Sequence, residues 1–109
     1  MSLDNLSYEE EKKIVKYLGS IYQNSKKRMD ILSYSGRVCE NEPSYQNDLE
    51  YVRTINRILS DCSRDTRYII MREYLMNSES DWYLDVYSRG TYYRLKKRAV
   101  NEFIRCLNI

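Results

Sequence analysis

The stretch Tyr87-Ser88-Arg89-Gly90-Thr91-Tyr92-Tyr93-Arg94-Leu95-Lys96-Lys97-Arg98-Ala99 separates into two kinds of side chain when wound at 3.6 residues per turn. Tyr92, Leu95 and Ala99, continued by Phe103 and Cys106, recur three or four positions apart and predict a buried stripe. Arg89, Gly90, Tyr93, Arg94 and Lys97 fall on another face. Between positions 89 and 105 there are six bases, Arg89, Arg94, Lys96, Lys97, Arg98 and Arg105, against one acid, Glu102. The whole chain of 109 residues carries a formal charge of only +2, so the positive charge is concentrated on the last helix, expected from Arg89 to Leu107. Ser88 competes for backbone hydrogen bonds as a cap and Gly90 weakens helix, so a break is expected just before this segment.

The preceding segments extend the helical reading toward the N-terminus. A short helix is expected with Ser80 as cap and Trp82, Tyr83 and Val86 as apolar anchors, after a polar connection over 77–80. Ser63 is placed to cap a third helix whose stripe is Ile69, Ile70, Tyr74 and Leu75, and Asp61-Cys62-Ser63 separates it from a second helix. That second helix restarts at Pro43 or Ser44 and turns Leu49, Val52, Ile55, Ile58 and Leu59 to one side. Ser35-Gly36 opens the one clear loop.

The first helical region starts at a capping box, Ser7 with Glu10, and its acids Glu9, Glu10 and Glu11 suit the positive end of a helix dipole. Val15, Leu18, Tyr22, Met29 and Leu32 recur at helical spacing, while Gly19 and the polar stretch 23–28 are expected weak points, leaving open one helix or two. The seam either pairs with a second copy or packs on the 49–59 helix of the same chain. The expected architecture is all-α, about five helices, with residues 1–60 bracing or dimerising a C-terminal helix-turn-helix over 61–109, in one compact domain.

Several classes are excluded on composition. Three glycines, one proline and few β-branched residues, none in sustained alternation, argue against strands. The longest apolar runs, such as Tyr68-Ile69-Ile70-Met71, are far too short to span a bilayer, and acids stand where a signal peptide has bases, so a cytoplasmic protein with no membrane partner is expected. Cys39, Cys62 and Cys106 are odd in number and far apart in sequence, as reduced thiols are, rather than a disulfide framework or zinc site. Histidine is absent, as are a Gly-rich phosphate loop and a nucleophile elbow, so neither an enzyme, a metal nor a cofactor is expected.

The basic face points to double-stranded DNA. Its bases begin at a helix N-terminus, where free amides already favour phosphate; Ser88 and Thr91 add hydroxyls; and the helix follows a Trp-anchored short helix by a tight turn. Arg89 and Arg94 are expected to enter the major groove, Lys96, Lys97 and Arg98 to neutralise phosphates, and Tyr93 to meet a thymine methyl or a phosphate. A basic face is also compatible with RNA, with an adaptor that docks on RNA polymerase without reading bases, and with a purely structural oligomer.

The segment from about Leu59 to Leu107 resembles the fourth conserved region of bacterial sigma factors. It is more similar still to ArpU-type phage transcription regulators and related small proteins of low-GC Gram-positive bacteria and mycoplasmas. The residues that carry the likeness are Thr66-Arg67-Tyr68-Ile69-Ile70 with Tyr74, and the string from Tyr87 to Ala99 quoted above. The resemblance implies a transcription regulator in which Arg89, Tyr93, Arg94 and Lys97 touch base edges, Thr91 and Arg98 lie nearer phosphates, and Tyr92, Leu95 and Ala99 are core. Sigma-type turns carry an apolar-Ala-x-x-Leu-Gly run before the Ser-Arg, whereas this chain reads Asp81-Trp82-Tyr83-Leu84-Asp85-Val86-Tyr87. Trp82 and Val86 are therefore expected to hold the short helix by a different packing.

Overall fold

A computed structural model describes residues 5–34 and 43–107, and among them the chain is all-α, without a strand. The expected loop over 35–42, with Cys39, lies outside the described residues. Three of the α-helices are long: α1 (Tyr8–Tyr34), α2 (Pro43–Ser60) and α4 (Arg89–Leu107). Between α2 and α4 run α3 (Arg64–Ile70), continued directly by a π turn (Met71–Leu75), and a single 3-10 turn (Trp82–Asp85).

The first helix is one helix. Its capping box forms as expected, with the Glu10 amide donating to Ser7 Oγ at 3.2 Å and the Ser7 amide to Glu10 Oε1 at 3.1 Å. The two supposed weak points turn out to be docking points. A Cβ on Gly19 would lie 2.5 Å from the Tyr74 carbonyl oxygen, so glycine lets the π turn rest directly on the α1 backbone. One turn on, Gln23 donates its amide to that same carbonyl at 2.8 Å, satisfying an acceptor left over where the helix ends.

Within the polar stretch, Arg28 grips the Asp48 carboxylate on α2 with two hydrogen bonds, 2.9 Å from Nε and 2.7 Å from Nη2, and buried Ser25 adds a third at 3.0 Å. The Arg28 hydrogen bond is the main reason that the Asp48 carboxyl titrates below its ordinary range. The seam of α1 is filled within the chain: Val15 and Tyr22 join Val52, Ile55, Ile58 and Leu59 in the core. Tyr22 Oη bonds Asn56 at 3.0 Å, and Tyr51 Oη bonds the Leu18 carbonyl at 2.8 Å.

The α4 helix is the central post, in contact with α1, α2 and α3. Because neighbours cover it on several sides, its buried set is broader than the expected stripe. Val100 and Ile104 are buried alongside Tyr92, Ala99 and Phe103, whereas Leu95 and Cys106 are only partly covered. The cap of α3 also differs from expectation. Ser63 occupies the N-cap position with extended backbone, but its hydroxyl does not bond a helix amide. It donates instead to Glu102 on α4 at 2.9 Å, and the same carboxylate accepts the Ser63 amide and the Thr66 hydroxyl. Glu102, the one acid in the basic segment, thus caps α3 from 39 residues away. Its carboxyl is lowered: partial burial opposes the shift, and the Thr66 and Ser63 hydrogen bonds outweigh it.

The short helix before α4 is one 3-10 turn, with Asp81 rather than Ser80 at its N-cap. Trp82 and Tyr83 are buried, but Val86, expected as an anchor, is 52% exposed because the turn is too short to bring a third side chain around to the core. No helix among the described residues is long and apolar enough to cross a membrane.

Candidate nucleic-acid interface

Aromatic packing fixes where the N-terminal half of α4 stands. Tyr83 stacks face to face on Tyr92, with centroids 3.8 Å apart, and Trp82 meets both Tyr92 and Tyr68 edge-on at 5.7 Å. The Trp82 indole donates to Glu73 Oε2 at 2.6 Å, so its one polar atom is satisfied inside the cluster. The other Glu73 oxygen takes the Lys96 ammonium at 3.2 Å. Burial alone would raise the Glu73 carboxyl, but the Trp82 hydrogen bond and the Lys96 charge hold it below its ordinary range. The Tyr92 hydroxyl, buried beside this carboxylate without a well-formed hydrogen bond, is driven upward by burial first and by Glu73 second.

On this platform the eight residues singled out in the sequence meet different surroundings. Ser88 is the N-cap of α4: the Thr91 amide donates to Ser88 Oγ at 3.3 Å, and the Ser88 hydroxyl donates to Thr91 Oγ1 at 2.9 Å. Thr91 therefore keeps its own hydroxyl proton to donate. The helix breaks at Ser88, not at Gly90, which lies in the first turn of α4 with nothing within 4 Å of where a Cβ would be. Arg89 and Gly90 sit at positions whose amides lack a partner in the preceding turn, and both residues face outward.

Tyr93, Arg94, Lys97 and Arg98 are exposed, and the ion pairs among the described residues involve none of them, nor Arg89. Lys96 departs from the expected role. Its side chain is only 15% exposed, it pairs with Glu73, and it lies 5.7 Å from the ring centroids of both Tyr74 and Tyr92. A lysine held by a carboxylate and two ring faces braces the π turn against α4 and is not free to follow a phosphate.

The structure adds one group that the sequence reading missed. The Tyr8 ring on α1 stands beneath two ammonium groups, Lys12 at 4.9 Å and Lys97 at 5.9 Å. The basic edge of α4 thereby continues onto the start of α1, ending at Lys12, which Glu9 pairs at 3.1 Å. The Tyr8 to Lys12 spacing of four was a legible signal for that contact, but the run Glu9-Glu10-Glu11 hides it in a charge count.

Set against protein families, curated proteins and solved structures, the chain matches none.

A separate surface lies toward the C-terminal end of α1, where a groove of about 880 Å³ runs between it and the end of the π turn. Ile31, Tyr34, Met71 and Met76 line it and are exposed, Tyr34 almost fully. Among the described residues no three of His, Cys, Asp and Glu stand together as a metal site.

Proposed function

We propose that this chain is a cytoplasmic, phage-type or sigma-like transcription regulator that binds double-stranded DNA through the N-terminal half of α4. One observation carries the reading: Arg89, Tyr93, Arg94 and Lys97 form an exposed edge without ion-pair partners, on a helix whose other side is locked by Tyr92 into the aromatic cluster. The resemblance of 59–107 to sigma region four supports it, with the 3-10 turn in the place of the first helix of a helix-turn-helix.

In this mechanism the end of α4 enters the major groove and no covalent chemistry takes place. The open amides of Arg89 and Gly90 and the Thr91 hydroxyl take a backbone phosphate, and the bare backbone at Gly90 lets the strand approach closely. Arg89 and Arg94 pair with guanine edges, a contact worth about 1–3 kcal/mol of discrimination each. Tyr93 packs on a thymine methyl, and Lys97 and Arg98 neutralise phosphates.

Selection of bound duplexes from a random pool at about 0.1 M salt tests the reading. Enrichment of a motif, with affinity that falls steeply as salt rises, is the expected result; a pool that stays random contradicts sequence reading. The second reading, a protein adaptor that docks on RNA polymerase, draws on the apolar groove between α1 and the π turn. It predicts binding to polymerase that barely responds to salt and is lost when Met71 and Met76 are made polar, with no retention of the duplex pool.

A further inference from the structure

Cys62 and Cys106 are separated by 44 residues in sequence yet stand with their sulfurs 3.5 Å apart. Cys62 closes the turn between α2 and α3, its amide bonded to the Leu59 carbonyl at 3.0 Å; Cys106 lies in the last turn of α4. We propose that these two thiols are an oxidative modification site, joined by hydrogen peroxide into one intrachain disulfide that clamps the base of α4 to the α2–α3 turn.

The surroundings favour this pairing. A disulfide needs the sulfurs about 1.5 Å closer, a displacement that side-chain rotation can supply when the backbones are already side by side. They are held so by Glu102, one turn before Cys106, which binds the amide and hydroxyl of Ser63, the residue next to Cys62. The two thiols differ in access: Cys62 is 5% exposed, Cys106 is partly open to solvent. Burial, then contact with Cys106, pushes the Cys62 thiol up to about 12, so Cys62 is a poor first target.

The order of events follows from that asymmetry. The Cys106 sulfur attacks one peroxide oxygen, forming a sulfenic acid and releasing one water. The neighbouring Cys62 sulfur then attacks the sulfenic sulfur, and the departing hydroxide leaves with the Cys62 proton as a second water. Two thiols lose two electrons in all, and the peroxide takes them. The closed ring contains α3, the π turn, the 3-10 turn and nearly all of α4, the Arg89 to Lys97 edge included, but none of that edge's side chains takes part in the cross-link. The inference is independent of what that edge binds.

The test uses the full chain with Cys39→Ser, so that Cys62 and Cys106 are its only thiols. Peroxide treatment is expected to remove both thiols measured after denaturation, lower the mass of the linked Cys62 and Cys106 peptides by about 2 Da, leave a monomer on a non-reducing gel, and raise the thermal midpoint by at least about 5 °C. Dithiothreitol should reverse the thiol loss, the mass decrease and the rise in midpoint, with the chain still a monomer. A second chain, Cys39→Ser with Cys106→Ser, should fold normally, because Cys106 is not fully buried, and keep its Cys62 thiol through the same treatment. Persistence of both thiols in the first chain, a mass gain in steps of about 16 Da on the peptides that carry Cys62 or Cys106, a disulfide between chains, or loss of the lone Cys62 thiol in the second chain each overturns the proposal; sulfoxide formed at exposed Met71 and Met76 is counted separately by peptide mass.

Discussion

Two halves of the same helix lie along one line and meet opposite fates. Arg89, Tyr93 and Lys97 run up one side of α4, and Val100 and Ile104 continue that side. The first three face outward, whereas Val100 is fully buried and Ile104 nearly so. The C-terminal half is covered on both sides, whereas the N-terminal half is held on its inner side by Tyr83, Trp82 and Glu73 and is open on the outer one. A helix anchored this way presents its outer edge on a fixed platform, as the proposed reading of a DNA groove requires. The inner and outer sides also divide the basic run, since Lys96 is consumed by Glu73 while Lys97, one residue on, is not.

The contrast is most easily broken by truncating each half in turn. Phe103→Ala, at a side chain 1% exposed, should cost about 3–5 kcal/mol, and Trp82→Ala a similar amount, read from chemical denaturation. Tyr93→Ala, at a side chain 58% exposed, should stay within about 0.5 kcal/mol. Equal costs for Phe103 and Tyr93 would mean that the two halves are not differently anchored, and a melt unchanged by Trp82→Ala would remove the aromatic platform.

A smaller loss is expected at the support beneath that platform. Gly19→Ala drives a methyl into the Tyr74 carbonyl and should destabilise by about 1–3 kcal/mol, although alanine is the better helix former. If Gly19→Ala is neutral or stabilising, the π turn does not rest on α1 as described.

Acid should sharpen the same picture. The carboxyls of Asp48, Glu73 and Glu102 all sit below their ordinary range in the folded chain, so the unfolded chain binds protons more readily. Their contribution to stability is complete above the ordinary carboxylate range, near pH 4 to 5, and is lost as pH falls through the lowered folded values. Denaturation midpoints should therefore hold from pH 7 to about 5 and drop below about 4, with a shallower drop in Glu73→Gln. An identical acid limb in that variant would show that Glu73 is not held as the geometry indicates.

The smallest effects separate the neighbouring lysines. Lys96→Ala should lower stability by about 1 kcal/mol and leave the salt dependence of DNA binding unchanged, whereas Lys97→Ala should leave stability unchanged and reduce the salt slope by about one. Reversed results would place Lys96 at the phosphates.

The helical class and most of the buried positions were readable from periodicity, because amphipathic spacing reports one covered face. Val100 and Ile104 were not, since a helix enclosed on several sides has no single stripe. The polar latches were also hidden: Gln23, Ser25 and Arg28 look like solvent-facing residues until Tyr74 and Asp48 are brought to them. Ser63 was read as a cap by local rules, and the capping carboxylate came from Glu102, which no local rule can supply. For the candidate site, the exposure of Arg89, Tyr93, Arg94 and Lys97 followed from their spacing, whereas the capture of Lys96 depended on Glu73 arriving from another helix.

The central claim rests on Arg94, exposed and without an ion-pair partner on the outward edge of α4. The direct measurement compares Arg94→Ala with the unaltered chain, each titrated with a selected duplex and with random duplex at one salt concentration. The expected result is a loss of about 1–3 kcal/mol in preference for the selected site, with random binding nearly unchanged. An equal loss on both duplexes would mean that the helix holds DNA without reading it, and no loss on either would contradict the assignment of this edge to DNA.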